Sequence, residues 1–459
     1  MLQNHPQTDN AGFSGKIGVA QKDITPPVEI YAKNWGAGND GIKSGVHHPF
    51  TLTCLVFLSD VAKRPLVLIA ADLGWWNDAA DEQHFRLALL QAFALEEAEL
   101  MVCFSHTHSG PSLFMENSNK PGGKWIPVYL EQLKEQALLA IREALASAVP
   151  ATLSWKYGSC GLAANRDQPT EQPGEILVGF DPEKKADDTL LVGRITDGNG
   201  AIIATIVNYA CHPTTLAWDN HLLSPDYIGA MRKLVEEHTK GACIFLQGAS
   251  GDLAPAEQYS GNPALADRYG RCLGYAVLSV LEAMLPPETQ LYFARIVESG
   301  ATLGVWEQRA FDVPADLRAE LQYIELPLKP LPTLKEIEQQ WEACDDPVLK
   351  ERLWRKRGIR KNLGDGGTAA VPLWIWRLGA CCLIGQPNEA YSWFQQELRN
   401  ALLPYPAAVM NIVNGHTGYL PPEKLYSSNI YAVWQTPFAP GSLEQLTSRA
   451  ITAAHKIMQ

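Results

Sequence analysis

The sequence predicts an α/β protein with a mixed β-sheet core flanked by helices, and three observations carry that expectation. Short apolar runs bounded by turn residues alternate with stretches of helical periodicity. Of the 459 residues, 46% are hydrophobic, enough for a large buried core. A charge-rich helical stretch at 329–367, ending in Gly364-Asp365-Gly366-Gly367, breaks the rhythm and reads as an insertion.

In chain order, strands are expected at 50–58, 65–72, 99–105 and 201–210. The clearest helix follows Pro127, a good first-turn residue, and sets Leu130, Leu133, Ala137, Ile141 and Leu145 on one face. A last helix is expected at about 442–457, where Ser442 and Gln445 have capping-box spacing. The polar segment 161–188 reads as a surface excursion. In the insertion, Lys350, Arg352, Arg355, Lys356, Arg357, Arg360 and Lys361 read as the solvated face of a helix. No repeat or clear linker divides the chain, so one domain is expected over 15–459, after a tail at 1–14.

Charge narrows the partners. Lys and Arg number 38 against 50 Asp and Glu, a net charge of -12 that disfavours nucleic acid and anionic membrane surfaces. The nine cysteines are scattered without a Cys-x-x-Cys pair, as in a reducing cytoplasm. The N-terminus lacks a basic and then apolar leader, and no apolar run approaches the ~18 residues of a transmembrane helix. A soluble cytoplasmic protein is expected.

The strongest chemical signal is Cys103-Phe104-Ser105-His106-Thr107-His108-Ser109-Gly110-Pro111, a strand running into a turn with two histidines. In extended backbone, residues two apart face one side, so His106 and His108 either share a metal site or satisfy backbone groups of a polar turn. A second strand-to-turn histidine, His212, precedes Pro213, where a merely structural role is also available. Asp226 either orients an imidazole or caps the following helix. Gly248-Ala249-Ser250-Gly251-Asp252 offers backbone amides to an oxyanion, but it is not the Gly-x-Ser-x-Gly elbow, and a serine triad is set aside. Glu389 ends an apolar stretch, where a helix start alone would explain a carboxylate. Asn414-Gly415-His416-Thr417-Gly418-Tyr419 and Tyr431 complete the set.

Taken in order, these motifs resemble the catalytic domain of the neutral, non-lysosomal ceramidases, from about Gly18 to Trp434. Asp23-Ile24-Thr25-Pro26-Pro27, Gly45-Val46-His47-His48-Pro49 and Asp72-Leu73-Gly74 resemble that family's opening segment. The resemblance implies Zn²⁺ held by His106, His212, Glu389 and Tyr419, with His108, Arg166 and Tyr431 around the reacting amide. It implies hydrolysis of a linear N-acyl bond by a metal-activated water, on a small-molecule substrate with a sphingolipid as the nearest named candidate. Other readings are a zinc hydrolase of another small ester or amide, and a non-catalytic metal-containing binding protein. Three departures stand out: Ala254 replaces a serine, Asn388 replaces a glycine, and His48 stands where an acid is common. The chain also ends at Gln459, which leaves no room for the family's immunoglobulin-like C-terminal domain and weakens the case for membrane ceramide.

Overall fold

The computed structural model describes residues 12–38, 41–60 and 64–459. Of the expected tail, residues 1–11 lie outside the described residues, and Gly12 already opens the first strand. An eight-stranded sheet contains β1 (Gly12–Asp23), β2 (Thr51–Leu58), β3 (Leu66–Ala71), β4 (Leu100–Phe104), β5 (Val149–Ser159), β6 (Thr189–Asp197), β7 (Ile202–Tyr209) and β8 (Ala242–Gln247). Their spatial order is β8-β7-β6-β5-β1-β2-β3-β4. The pairs β3–β4 and β7–β8 are parallel, and the remaining neighbours are antiparallel. The four strands expected from sequence appear within a residue or two of their predicted ends.

A second sheet holds β9 (Leu317–Pro327), β10 (Thr368–Leu378), β11 (Cys381–Gly385) and β12 (Ala407–Met410), in that order. The helices are α1 (Ala79–Phe93), α2 (Trp125–Ala146), α3 (Tyr227–Thr239), α4 (Pro263–Glu282), α5 (Leu334–Glu342), α6 (Pro347–Leu363), α7 (Ser392–Ala401), α8 (Tyr431–Gln435) and α9 (Ser442–Met458). The fold is thus mixed α/β, as the sequence predicts, but with two stacked sheets rather than one.

The period of two in a strand explains the stacking. Leu52, Cys54 and Val56 of β2 join the cluster under α1 and α2, whereas Leu55 and Phe57 point to the opposite face. There they meet Trp374 and Trp376 of β10, both buried between the sheets. Each indole N–H finds a carbonyl, Glu97 O at 2.9 Å and Ala98 O at 2.6 Å, so burial leaves neither donor unpaired. Leu373 and Ile375 alternate outward onto α7 and α9. Helices α3 and α4 cover the β6–β8 end. Four layers result: helices, sheet, sheet, helices.

Two local expectations change. Helix α9 is entered through Gly441 at φ 83°, and Ser442 donates instead to Pro327 O at 3.4 Å, so the capping box does not form. The 329–367 insertion is a helical hairpin, α5 and α6, whose basic residues are not simply solvated. Arg357 reaches Glu116 and Glu338, and Lys361 reaches Asp78 and Glu116 at 2.5 and 2.6 Å. The Glu338 pair joins α6 to α5, and the pairs to Asp78 and Glu116 tie the hairpin to the segments beside α1 and before α2. Among the described residues no helix is long and apolar enough to cross a membrane.

Candidate metal centre

Strand ends deliver the donors. β3 and β4 finish side by side, and just beyond β4 the His106 amide donates to Leu73 O at 2.9 Å while its ring Nδ1 lies 3.3 Å from Gly74 O. His106 has φ 67°, a left-handed conformation uncommon for a side chain of this size, so the expected extended His106-Thr107-His108 geometry is not what forms. The turn nevertheless brings the two rings to 5.0 Å. His212 follows β7, with its amide bonded to Leu253 O at 2.9 Å and its Nδ1 2.7 Å from Ser250 O. Glu389 lies in a two-residue strand, Glu389–Ala390, in parallel register with Tyr419–Leu420, so Glu389 and Tyr419 stand side by side. Helix α7 starts only at Ser392, and the carboxylate is not a helix cap.

The carbonyl contacts decide the chemistry. A carbonyl only accepts, so Nδ1 of His106 and of His212 must carry a proton, and a ring with that single proton turns a lone pair outward at Nε2. Those two Nε2 atoms lie 3.3 and 3.0 Å from the same Glu389 oxygen, Oε2. With no second proton on either ring, three electron-rich atoms converge, and a proton or a cation between them reconciles the contacts. Burial, followed by the charge of Arg166, pushes His212 down to about 3, so this ring does not supply that charge as an imidazolium. Burial, then His106 and His212, hold His108 well below the ordinary imidazole range. Burial alone would raise Glu389, but His106, His212 and His416 hold it well below the usual carboxylate range.

Nitrogens of His106, His108 and His212 lie within 4.8 Å of one another, and Nε2 of both His106 and His108 is buried without a hydrogen bond. Neutral imidazoles with a carboxylate form a donor set suited to zinc. His108 thus stands among the candidate nitrogen donors, where the family resemblance made it only a neighbour of the amide.

The remaining predicted residues gather on one side. Arg166, buried, chelates Gly251 O through Nε at 3.1 Å and Nη2 at 2.8 Å, and Nη2 donates to the Tyr419 hydroxyl at 3.0 Å. Tyr419 stacks along His212 at 6.4 Å with 9° between the rings, and Tyr431 meets Tyr419 edge-on at 5.6 Å. The Tyr431 hydroxyl accepts from Arg355 and from Gln435, each at 3.2 Å. His106, His108, Glu389, Tyr419 and Tyr431 line a cavity of about 610 Å³, and α6 supplies part of its wall. His212 and Arg166 are buried behind it.

Other motifs serve the frame. Ser250 offers His212 its carbonyl, and its hydroxyl meets Gln247 at 2.6 Å, so no serine–histidine pair exists there. The amides of Gly248, Ala249 and Gly251 are bound to Tyr209 O, Gln395 Oε1 and Ala390 O, which removes them as an oxyanion hole. Asp226 caps α3 and accepts from Leu216 N–H at 2.9 Å. Sequence reasoning passed over His416, whose Nε2 holds the other Glu389 oxygen at 2.9 Å. It also passed over Trp75, 5.4 Å from the His106 ring and 5.0 Å from that of His108. His416 lay within a quoted motif; Trp75, next to Gly74, gave no signal of its own.

A mixed α/β fold with a histidine–carboxylate centre at its strand ends defines the class. No protein-family model matches the chain. It is 25% identical over 253 residues to the neutral ceramidase of Pseudomonas aeruginosa, covering 52% of this chain and 37% of that protein. It is 26% identical over 236 residues to the neutral ceramidase of Mycobacterium tuberculosis, covering 47% and 36%. The matches thus span little more than a third of the length of these curated relatives. The crystal structure of the Pseudomonas aeruginosa neutral ceramidase superposes with a TM-score of 0.71 at 17% identity, over 97% of this chain and 75% of that one. A ceramidase complexed with C2 superposes with a TM-score of 0.68 at 15% identity, over 97% and 76%. The chain is a relative of the neutral ceramidases and has their fold.

Proposed function

We propose that this chain is a zinc-dependent hydrolase of linear N-acyl amides, ceramidase-like in chemistry. The observation that carries the reading is the convergence of two tautomer-fixed imidazole lone pairs on the Glu389 carboxylate, beside the unpaired Nε2 of His108 and at the floor of a cavity. His106, His212 and Glu389 would hold the ion, with Tyr419 next to Glu389 as the fourth candidate. Zinc bound there supplies a Lewis acid for the amide carbonyl and lowers the pKa of a water.

The chain's own groups do the rest. The carbonyls of Gly74 and Ser250 lock the ligand tautomers, and His416 fixes the free oxygen of Glu389. Because Tyr431 accepts from both Arg355 and Gln435, its own proton is left to donate to the oxygen of a reacting amide. His108, with Nε2 buried and free of any hydrogen bond, stands beside the ion as a further nitrogen donor. Arg166 pins the Tyr419 hydroxyl and so the tyrosine's position against His212. Ala254 carries no hydroxyl, which leaves the metal-centred route rather than a serine nucleophile at that spot.

The cavity lies within the range of small-molecule sites, and Trp75, Phe114, Trp341 and Trp354 give it an aromatic wall suited to an acyl chain. We read the substrate as a small N-acyl compound, with a sphingolipid as one candidate, and residues 15–459 as a single catalytic unit. All nine cysteines are unpaired, which supports a cytoplasmic setting. The test is to equilibrate the protein with zinc and assay release of free amine from N-acyl sphingosines, N-acyl amino acids and an N-acyl amino sugar of graded chain length. Turnover lost on chelation and in His106→Ala is expected. Absence of both zinc uptake and turnover would overturn the reading.

A further inference from the structure

A second cluster of donors lies apart from the cavity. His47 and His48 follow the short strand Gly45–Val46, which pairs with Leu222–Leu223, and Asp267 comes from the second turn of α4. Nε2 of His48 lies 2.7 Å from Asp267 Oδ1, and Nε2 of His47 lies 3.0 Å from the same oxygen. Only the His48 contact has hydrogen-bond geometry. The His47 Nε2, in a side chain only 9% exposed, is buried without a hydrogen-bond partner although it is aimed at the carboxylate. Its other nitrogen is engaged by Ser224 Oγ at 2.9 Å. The imidazoles stand 4.2 Å apart, and a Cβ on Gly229 of α3 would meet His48 Cβ at 2.8 Å, so the helix backbone leaves room for this ring. One ligand atom from each of the three residues falls within 4.8 Å of the others.

We propose that His47, His48 and Asp267 form a second, structural site for a divalent transition metal of the zinc class. Two imidazoles and one carboxylate are a donor set for such an ion, and an ion between them engages the His47 nitrogen, which meets Asp267 at 3.0 Å without hydrogen-bond geometry. Its function is to brace the histidine turn. Ser224, which holds His47, accepts from Thr107 Oγ1 at 2.7 Å and donates its amide to Ser109 O at 3.0 Å. Thr107 lies between His106 and His108. Fixing Ser224 therefore fixes the turn that presents both rings. The site does not rest on the hydrolase reading, and its residues are separate from that centre.

The test is zinc stoichiometry by elemental analysis after equilibration and gel filtration, with hydrogen–deuterium exchange as the second readout. About two ions per chain are expected in the parent, about one in Asp267→Asn, and about one in His106→Ala, each variant having lost a different ion. His48→Gln, followed by Co²⁺ absorption, repeats the test should Asp267→Asn fail to fold: the parent titration shows a second equivalent and the variant does not. Exchange at 105–110 should slow as the second ion binds in the parent and not in Asp267→Asn. A parent that binds one ion, retained by Asp267→Asn and His48→Gln but lost in His106→Ala, overturns this proposal and leaves the first centre intact. One ion lost only in Asp267→Asn would support this site and remove the first. Two ions without slower exchange at 105–110 would overturn the bracing role.

Discussion

Acidifying the metal-free protein from pH 7 to pH 5 is expected to weaken the fold by ~2 kcal/mol through His212 alone. Burial and Arg166 set this ring at about 3 in the folded chain against an ordinary 6.5. As pH falls, the unfolded chain takes up the proton first, so the contribution is complete above pH 6.5 and drains away towards pH 3. At pH 5 the unfolded imidazole is almost fully protonated and the folded one is almost entirely neutral, which is the source of the figure. Glu389, held below its ordinary range, acts in the same direction, but only once pH falls through the unfolded carboxylate value. The assay is the urea midpoint with chelator present, at pH 7 and pH 5, for the parent and for His212→Asn, whose amide can still donate to Ser250 O. The variant should lose this part of the acid sensitivity. An identical pH dependence in both would refute the burial argument for this ring.

Three further outcomes follow from the same geometry. Glu389→Gln keeps the shape but removes the anion from the donor set, and zinc affinity measured by chelator competition should fall by more than about 100-fold. Tyr431→Phe should lower kcat on an N-acyl substrate by about 10² with KM little changed, since the ring stays and only the donor is lost; an unchanged kcat would remove Tyr431 from the reaction. Trp376→Ala empties a fully buried site between the sheets and should cost about 3–5 kcal/mol in denaturant unfolding.

The parts of the fold that read clearly from sequence were those governed by local period. Strands β2, β3, β4 and β7 are apolar on both faces and bounded by turns, and each announces itself. That two sheets stack could not be read, because a strand buried on both faces looks the same whether a helix or a sheet covers it. His106 and His212 were legible because each follows such a strand directly. His416 was not, because its partner is a carboxylate 27 positions away that the chain brings near only through the Glu389–Tyr419 pairing. The glycine-rich segment at 248–252 misled in the opposite sense: its amides look free in sequence, but strand ends and Gln395 take them up. The tautomers that would fit the centre to a cation depend on two carbonyls, Gly74 and Ser250, and a carbonyl's direction leaves no trace in residue identity.

The α5–α6 hairpin contributes to both chemistry and specificity, since Arg355 of α6 holds the Tyr431 hydroxyl while Trp354 faces the cavity. Trp354 sits 5.1 Å from Trp341 and 5.7 Å from Phe114, with the Arg357 guanidinium 5.0 Å over its ring, and this aromatic group lines the cavity. The groups proposed to act in catalysis come from strand ends and from 414–431, and the hairpin hydrogen bond to Tyr431 comes from Arg355, not from Trp354. Removing the Trp354 side chain should therefore leave the proposed metal centre unaltered while stripping apolar surface from the wall. Burying such a side chain is worth about 1.5–3 kcal/mol. Trp354→Ala should accordingly raise KM by about 10- to 100-fold for a long-chain N-acyl substrate, with much less effect on an N-acetyl one and kcat held within about a factor of two. An equal loss on short and long chains would mean that Trp354 acts by holding Arg355, and through it Tyr431, in place, and that the wall is not where the acyl chain is read.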